Sequence, residues 1–255
     1  MTVRELYEYL NEKIPRSLSC EWDNDGLMCC PDDSAPVRRV LVALDVTDEI
    51  ARIAVEEGYD VILSHHPLVF RPLRALEGSN FVASKVIKLL LAGVSVMSFH
   101  TRLDAVEGGV NDVLCQALGI LDVSVLADGE ERIARIGHLE APITLAEFAE
   151  RVKAATGARM LAVSDADKPV STVALMGGSG GDAVSAARAA GADTYLTGEL
   201  SHHALTDAPE MGINLIAGGH FETEHLVCDR LRDLVLEADA SIEVTVRSSN
   251  RIQIL

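Results

Sequence analysis

Basic residues are scarce in this 255-residue sequence: 22 lysines and arginines face 39 aspartates and glutamates, a formal net charge of −17. A general nucleic-acid binder needs a basic surface against the phosphates, so that class is excluded. Docking on anionic membranes is disfavoured for the same reason. A phosphorylated small molecule stays admissible if cations sit in its site. Aromatic residues are also few, at 4%, so alanine, valine and leucine must fill the core. There is no Cys-x-x-Cys pair, and the five cysteines (Cys20, Cys29, Cys30, Cys115, Cys228) are odd in number. That usage predicts reduced thiols in a cytoplasmic protein rather than a disulfide framework. Long apolar runs are missing too: "VIKLLLAGVSVMSF" is broken by glycine and too short to span a bilayer. The opening "MTVRELYEYLNEKIP" reads as a charged amphipathic helix and not as a signal peptide. Low-complexity segments and fixed-period repeats are absent.

Hydrophobic residues nevertheless make up 48% of the chain, enough for a sizeable core in one large or two modest domains. Short β-branched runs alternate with helical patterns. "VRRVLVALDV", "YDVILSHH" and "VSVMSFHTRLD" read as strands, separated by the helices "TDEIARIAVEEG" and "NFVASKVIKLLLAG". Such a rhythm predicts an α/β protein with parallel strands covered by helices. It breaks at "LDVSVLADGEER", residues 121–132, and then restarts. The expectation is two α/β halves with mixed, largely parallel sheets flanked by helices. The first covers residues 1–126 and 217–255 and carries most of the candidate ligands; the second covers 127–216.

Within "VILSHHPLVF", residues 61–70, an apolar strand ends in two adjacent histidines and a proline, which no strand requires for structure. His100 and Asp104 end the next strand, in "FHTRLD". Glu199, in "TGELSHH", ends a strand of the second half, and His220, in "AGGHFETE", ends another strand. Ligand sites of open α/β sheets lie outside the carboxyl ends of the strands, so these groups are placed to converge. If a helix begins at "HFETEH", His220 and Glu224 stand at i and i+4 on one face, whereas His225 points about 140° away from His220. His65, His66 and His220 with Asp104 and Glu224 form a nitrogen and oxygen set suited to Zn, Mn, Fe, Co or Ni. Five ligands exceed the four of a closed structural zinc site, so two divalent ions with bridging carboxylates fit better. "GGSGGD", residues 177–182, reads either as a tight turn or as a phosphate cradle. His202 and His203 read either as groups that orient ligands or as helix-surface residues. His138, mid-strand and without a partner motif, reads as structural.

These motifs resemble the NIF-three-like family, also called dinuclear metal centre hexameric proteins and often named GTP cyclohydrolase 1 type 2 homologues. The likeness begins at "EWDNDGL", residues 21–27, and continues in the same order through "SHHPLVF", "HTRLD", "GGSGGD" and "TGELSHH" to "GHFETE". It implies two divalent metal ions held by His65, His66, Asp104, His220 and Glu224, the residues that spacing also selects. It further implies a toroidal homohexamer with its sites facing an internal cavity, and no middle insertion domain. One departure stands out: the family's His-Thr-Asn-Leu-Asp has Arg102 here in place of asparagine.

The expected function is metal-dependent hydrolysis of a nucleotide or other phosphorylated small molecule, as in a GTP cyclohydrolase. Glu199 or His100 would move the proton, and Arg71 and Arg102 would hold phosphate oxygens. The alternative is a metal-binding scaffold, metallochaperone or regulatory interaction protein without turnover. Neither nucleic acid nor membrane is an expected partner.

Overall fold

The computed structural model describes residues 1–126 and 132–254. Along the chain run α1 (Val3–Lys13), β1 (Gly26–Cys29), β2 (Arg39–Ala43), α2 (Asp48–Glu56), β3 (Val61–Ser64), α3 (Phe81–Leu91), β4 (Ser95–Ser98), α4 (Thr101–Ala105), α5 (Val110–Leu118), β5 (Leu121–Val125) and β6 (Arg135–Ile143). There follow α6 (Leu145–Thr156), β7 (Ala162–Ser164), β8 (Val170–Met176), α7 (Val184–Ala189), β9 (Thr194–Thr197), α8 (His202–Met211), β10 (Asn214–Ala217), α9 (His220–Glu224), α10 (Val227–Ala238) and β11 (Glu243–Val246). They build two compact units, one from Met1–Leu103 with Val227–Ile252, the other containing Asp104–Leu226. Among the described residues no helix is long and apolar enough to cross a membrane.

The first unit holds a five-stranded sheet in the order β1-β4-β3-β2-β11, parallel except for β1. Strands β3 and β4 are buried throughout, which explains their unbroken runs "VILS" and "SVMS". Leu41, Ile62 and Val96 pack with Ile50 and Ala54 of α2 and Leu89 of α3. Helices α1, α2 and α3 each start where a side chain satisfies the first amides. Thr2 and Glu5 form a capping box on α1, Thr47 accepts from Ile50 N, and Asn80 accepts from Val82 N and Ala83 N.

The second unit holds a six-stranded sheet in the order β5-β6-β8-β9-β10-β7, with β8, β9 and β10 parallel. Alternate residues of its central strands enter separate cores, as a period of two demands. Val173, Leu175, Leu196 and Ile216 pack with Leu114 of α5 and Phe148 and Val152 of α6. Ala174, Tyr195 and Leu215 pack instead with Ala187 of α7 and Ala208 of α8.

Both sheets are mixed and flanked by helices, as the α/β rhythm predicts. The units divide elsewhere than residues 126 and 217, however. Residues 104–126 and 217–226 belong to the second unit, because β5 pairs with β6 and α9 packs on α5. Residues 127–131, next to the expected boundary, lie outside the described residues. Strands β1 and β5, which the sequence pattern does not single out, are the edge strands beside β4 and β6.

Candidate metal centre

In the first unit β3 stops at Ser64, and Pro67 lacks the amide a longer strand would need. The chain past Ser64 is still held: His66 N donates to Leu44 O (2.9 Å), Phe99 N to Ser64 O (2.9 Å), and Ser64 Oγ to His66 O (2.9 Å). His65 is fully buried. Its Nδ1 lies 2.9 Å from the carbonyl of Phe99. A carbonyl only accepts, so Nδ1 carries the proton and Nε2 is the nitrogen able to coordinate. His66 Nδ1 lies 2.7 Å from Asp45 Oδ1. Asp45 is fixed in turn by Ser249 Oγ, which donates to Oδ2 (2.8 Å) and accepts from the Asp45 amide (3.1 Å).

His100 repeats the arrangement, with Nδ1 2.8 Å from Asp23 Oδ1. Asp23 Oδ2 also accepts from Thr101 N (3.0 Å) and Thr101 Oγ1 (2.7 Å). Burial alone would push the Asp23 carboxyl up. The hydrogen bonds from His100 and Thr101 outweigh it and hold the pKa at about 2. The three rings stand 4.8, 5.3 and 5.6 Å apart between centroids, and each offers a ligand atom within 4.8 Å of the others. His100, expected to move a proton, therefore shares a cluster with His65 and His66. Asp45 and Asp23 were not foreseen as orienting groups; their only signal is an aspartate beyond a strand end and one inside "WDND". Outer partners of this kind set metal affinity by orienting the ligand. Asp45→Asn is expected to weaken divalent-metal binding by roughly tenfold or more while leaving the melting temperature of chelator-treated protein nearly unchanged. Competition with a chromophoric chelator measures it, and unaltered affinity would refute the role.

In the second unit α9 begins at His220, directly after Gly218 and Gly219. His220 and Glu224 stand at i and i+4 as expected, with Nε2 3.2 Å from Glu224 Oε2. His220 Nδ1 lies 3.2 Å from Glu199 Oε1, so one imidazole spans two carboxylates. Asp104 and Glu224 are both buried, with carboxylate oxygens within 4.8 Å of each other. A cation shared between two buried carboxylates that close would offset their repulsion. Asp104 sits in α4 rather than at a strand tip.

The segment 177–182 is a tight turn built around Glu224 and not a phosphate cradle. Three of its amides are engaged by side chains: Gly177 N by Asn111 Oδ1 (2.7 Å), Gly178 N by Thr223 Oγ1 (3.0 Å) and Gly180 N by Thr197 Oγ1 (2.9 Å). Gly178 adopts φ +63°, and a Cβ there would overlap Glu224 Oε1 and stand 3.1 Å from His220 Nε2. Gly178→Ala is expected to displace the Glu224 carboxylate and lower metal loading several-fold, a ligand-orienting effect, with elemental analysis as the readout. Loading equal to the unsubstituted chain would refute the close approach.

Other candidates fall outside these groups. His202 and His203 are exposed at the start of α8, and His203 Nε2 pairs with Ser201 Oγ (3.2 Å). His138 lies in β6 near Asp122 (3.4 Å). No cysteine joins a candidate group among the described residues. Burial pushes the thiols of Cys29 and Cys115 up to about 11 and about 12, which keeps them protonated and unreactive.

The family model described as Duf34/NIF3 (NGG1p interacting factor 3) matches residues 1–253. The chain belongs to this family. A GTP cyclohydrolase 1 type 2 homolog of Clostridium perfringens is 32% identical over 253 residues, 96% of each chain. The Protein NIF3 homolog of Schizosaccharomyces pombe is 34% identical over 252 residues, covering 91% of this chain and 89% of the relative. Among solved structures, a Bacillus cereus protein related to NIF3 superposes with a TM-score of 0.92 at 23% identity, covering 100% of this chain and 99% of the other. That likeness shows the shared fold.

Seen as a Duf34/NIF3 chain, Arg102 has a role other than gripping phosphate. Its side chain is 0% exposed and its Nε donates to Asp25 Oδ2 (2.8 Å). Nη1 donates to Asn11 Oδ1 (2.6 Å) and Ile14 O (3.1 Å), and the guanidinium lies 4.2 Å from the Phe99 ring centroid. Contact with a ligand would require breaking this enclosed set. Arg71 is exposed.

Proposed function

We propose that this Duf34/NIF3 member is a dinuclear divalent-metal protein that hydrolyses a nucleotide or another phosphorylated small molecule. The observation that carries the reading is the trio His65, His66 and His100, each with Nδ1 committed to an acceptor and ligand atoms within 4.8 Å of one another. His65, His66 and His220 would hold the ions through nitrogen. Asp104 and Glu224 would supply the negative charge that two cations need. When bound, the ions supply Lewis-acid chemistry and acidify water. His100, oriented by Asp23, would accept a proton at Nε2, and Glu199 would hold His220 and pass a proton to solvent. Arg71 would meet the phosphate. The names of the curated relatives support a nucleotide as the substrate class.

The test is protein reconstituted with Zn, Mn, Fe, Co or Ni and offered a panel of nucleotides and phosphoesters. Turnover that disappears in Glu224→Gln and persists in Lys153→Gln supports hydrolysis. Metal binding without turnover on any member would instead assign the chain to a metal-binding scaffold or metallochaperone. The same reading includes self-assembly as a homohexamer. Light scattering on metal-loaded protein should give six chain masses, and a monomer mass would overturn that part.

A further inference from the structure

Large apolar side chains at a polar site need a reason, and two stand beside His100. Trp22 is 57% exposed and Phe70 44% exposed. Their ring centroids are 6.1 Å apart at 77°, and each lies against His100, at 6.1 and 5.9 Å. Rings meeting at such angles form a corner and do not cover each other as a stack would.

The corner is held in place from both sides. Trp22 sits in a turn closed by Asp23 N donating to Cys20 O (3.1 Å). Cys20 N donates to Thr101 Oγ1 (2.9 Å), and the Asp23 carboxylate is the one that grips His100 and Thr101. Asn24 Nδ2 donates to Val69 O (2.5 Å), which ties the Trp22 turn to the residue next to Phe70. The hydrogen bonds that orient His100 thus also fix the two aromatic rings against it. A surface tryptophan with no task would not require that anchoring.

We infer that Trp22 and Phe70 form a stacking subsite for a planar nitrogen heterocycle, a purine or a ring of similar shape. A ring resting there lies beside the imidazole cluster, so the subsite selects substrates by their base and not only by their phosphate. The inference rests on the function proposed above and narrows it: a sugar phosphate lacking a ring would be a poor ligand. Aromatic faces suit this task because every base presents a π-face and stacking tolerates differences in ring substituents.

The chain has one tryptophan, so its emission reports this subsite alone. The experiment titrates the full-length, metal-loaded protein with guanosine, with adenosine and with ribose 5-phosphate, exciting indole where the bases do not absorb. Both nucleosides should quench Trp22, and ribose 5-phosphate should leave it unchanged. By calorimetry, Phe70→Ala and Trp22→Leu should each weaken nucleoside binding roughly tenfold, the size of one stacking contact, with metal content unaltered, while Trp22→Phe should retain binding. Equal quenching by ribose 5-phosphate, or none by the nucleosides, would overturn the inference. So would the emission of a buried indole in the assembled protein, which would mean that a second copy covers the corner. Metal content and turnover on the same samples separate the two readings. Nucleoside quenching in protein that binds no metal would sustain the ring subsite while the hydrolase reading fails. Turnover of phosphoesters with no ring dependence would do the reverse.

Discussion

Arg102→Met is expected to lower the unfolding free energy by about 3–5 kcal/mol, the range for removing one partner of a buried ion pair. Both side chains of the Arg102–Asp25 pair are 0% exposed. Methionine would fill much of the space along Phe99, so the loss is not mainly a cavity. It is the Asp25 carboxylate left in a low-dielectric surrounding with reduced compensation. Arg16 Nη1 (3.3 Å), Ser19 Oγ (3.2 Å) and His100 N (3.2 Å) still point at it, which keeps the effect below that of a bare charge. An exposed pair such as Arg4–Asp33, with side chains about half exposed, contributes under about 1 kcal/mol by contrast. Adding Asp25→Asn to Arg102→Met removes the stranded charge and should recover part of the loss. Urea titrations of the two single variants and the double variant give the coupling. A loss under about 1 kcal/mol for Arg102→Met would show that the pair is not enclosed as described. The variant also carries a consequence for the site, because Asp25 Oδ2 accepts from the His100 amide and Arg102 holds that oxygen in place.

Arg102 also illustrates what a sequence withholds. A cation beside an aspartate in "HTRLD" reads as a phosphate grip because residue type is visible and burial is not. Its partners Asn11, Ile14 and Asp25 lie 77 to 91 positions away, with no periodicity linking them to it. Asp45 and Asp23 escaped notice for the same reason, being 21 and 77 positions from the histidines they orient. His220 and Glu224 were legible because one helical turn fixes their relation before any tertiary contact exists. The pair at 65 and 66 was legible because strand ends are where α/β sheets gather polar chemistry. The buried strands β3 and β4 declared themselves through apolar runs. By contrast β5, exposed along its length, left "LDVSV" looking like a break, and the expected boundary was drawn beyond it when the chain had already entered the second unit. "GGSGGD" offered two readings because glycine permits both an amide cradle and a close approach. Which one holds depends on Glu224, 46 residues beyond Gly178.

Loading the chain with a divalent ion is expected to raise its melting temperature by about 10 °C near pH 7.5, and the gain should vanish by about pH 5. A ligand that binds only the folded chain at about a thousand times its dissociation constant stabilises by about 4 kcal/mol. For a chain of this size each kcal/mol is worth about 2–4 °C. The direction with pH follows from the donors. Imidazole coordinates only when neutral, and its free pKa is about 6.5. Protons and metal therefore compete at His65, His66 and His220, and the gain is present above that value and lost as pH falls below it. Metal binding opposes protonation, so the fall should begin somewhat below the free value, and several histidines titrating together should make it steeper than a single-site curve. The measurement is thermal melting with parallel metal analysis from about pH 8 to about pH 4.5, on loaded and on chelated protein. His66→Ala should remove most of the gain at every pH, because it deletes a nitrogen ligand. Asp45→Asn should shift the loss to higher pH, because a less well oriented imidazole holds the ion less tightly against protons. Superimposable melting curves with and without metal would separate the ions from the fold, and occupancy unchanged down to the lowest pH would exclude the three histidines as ligands.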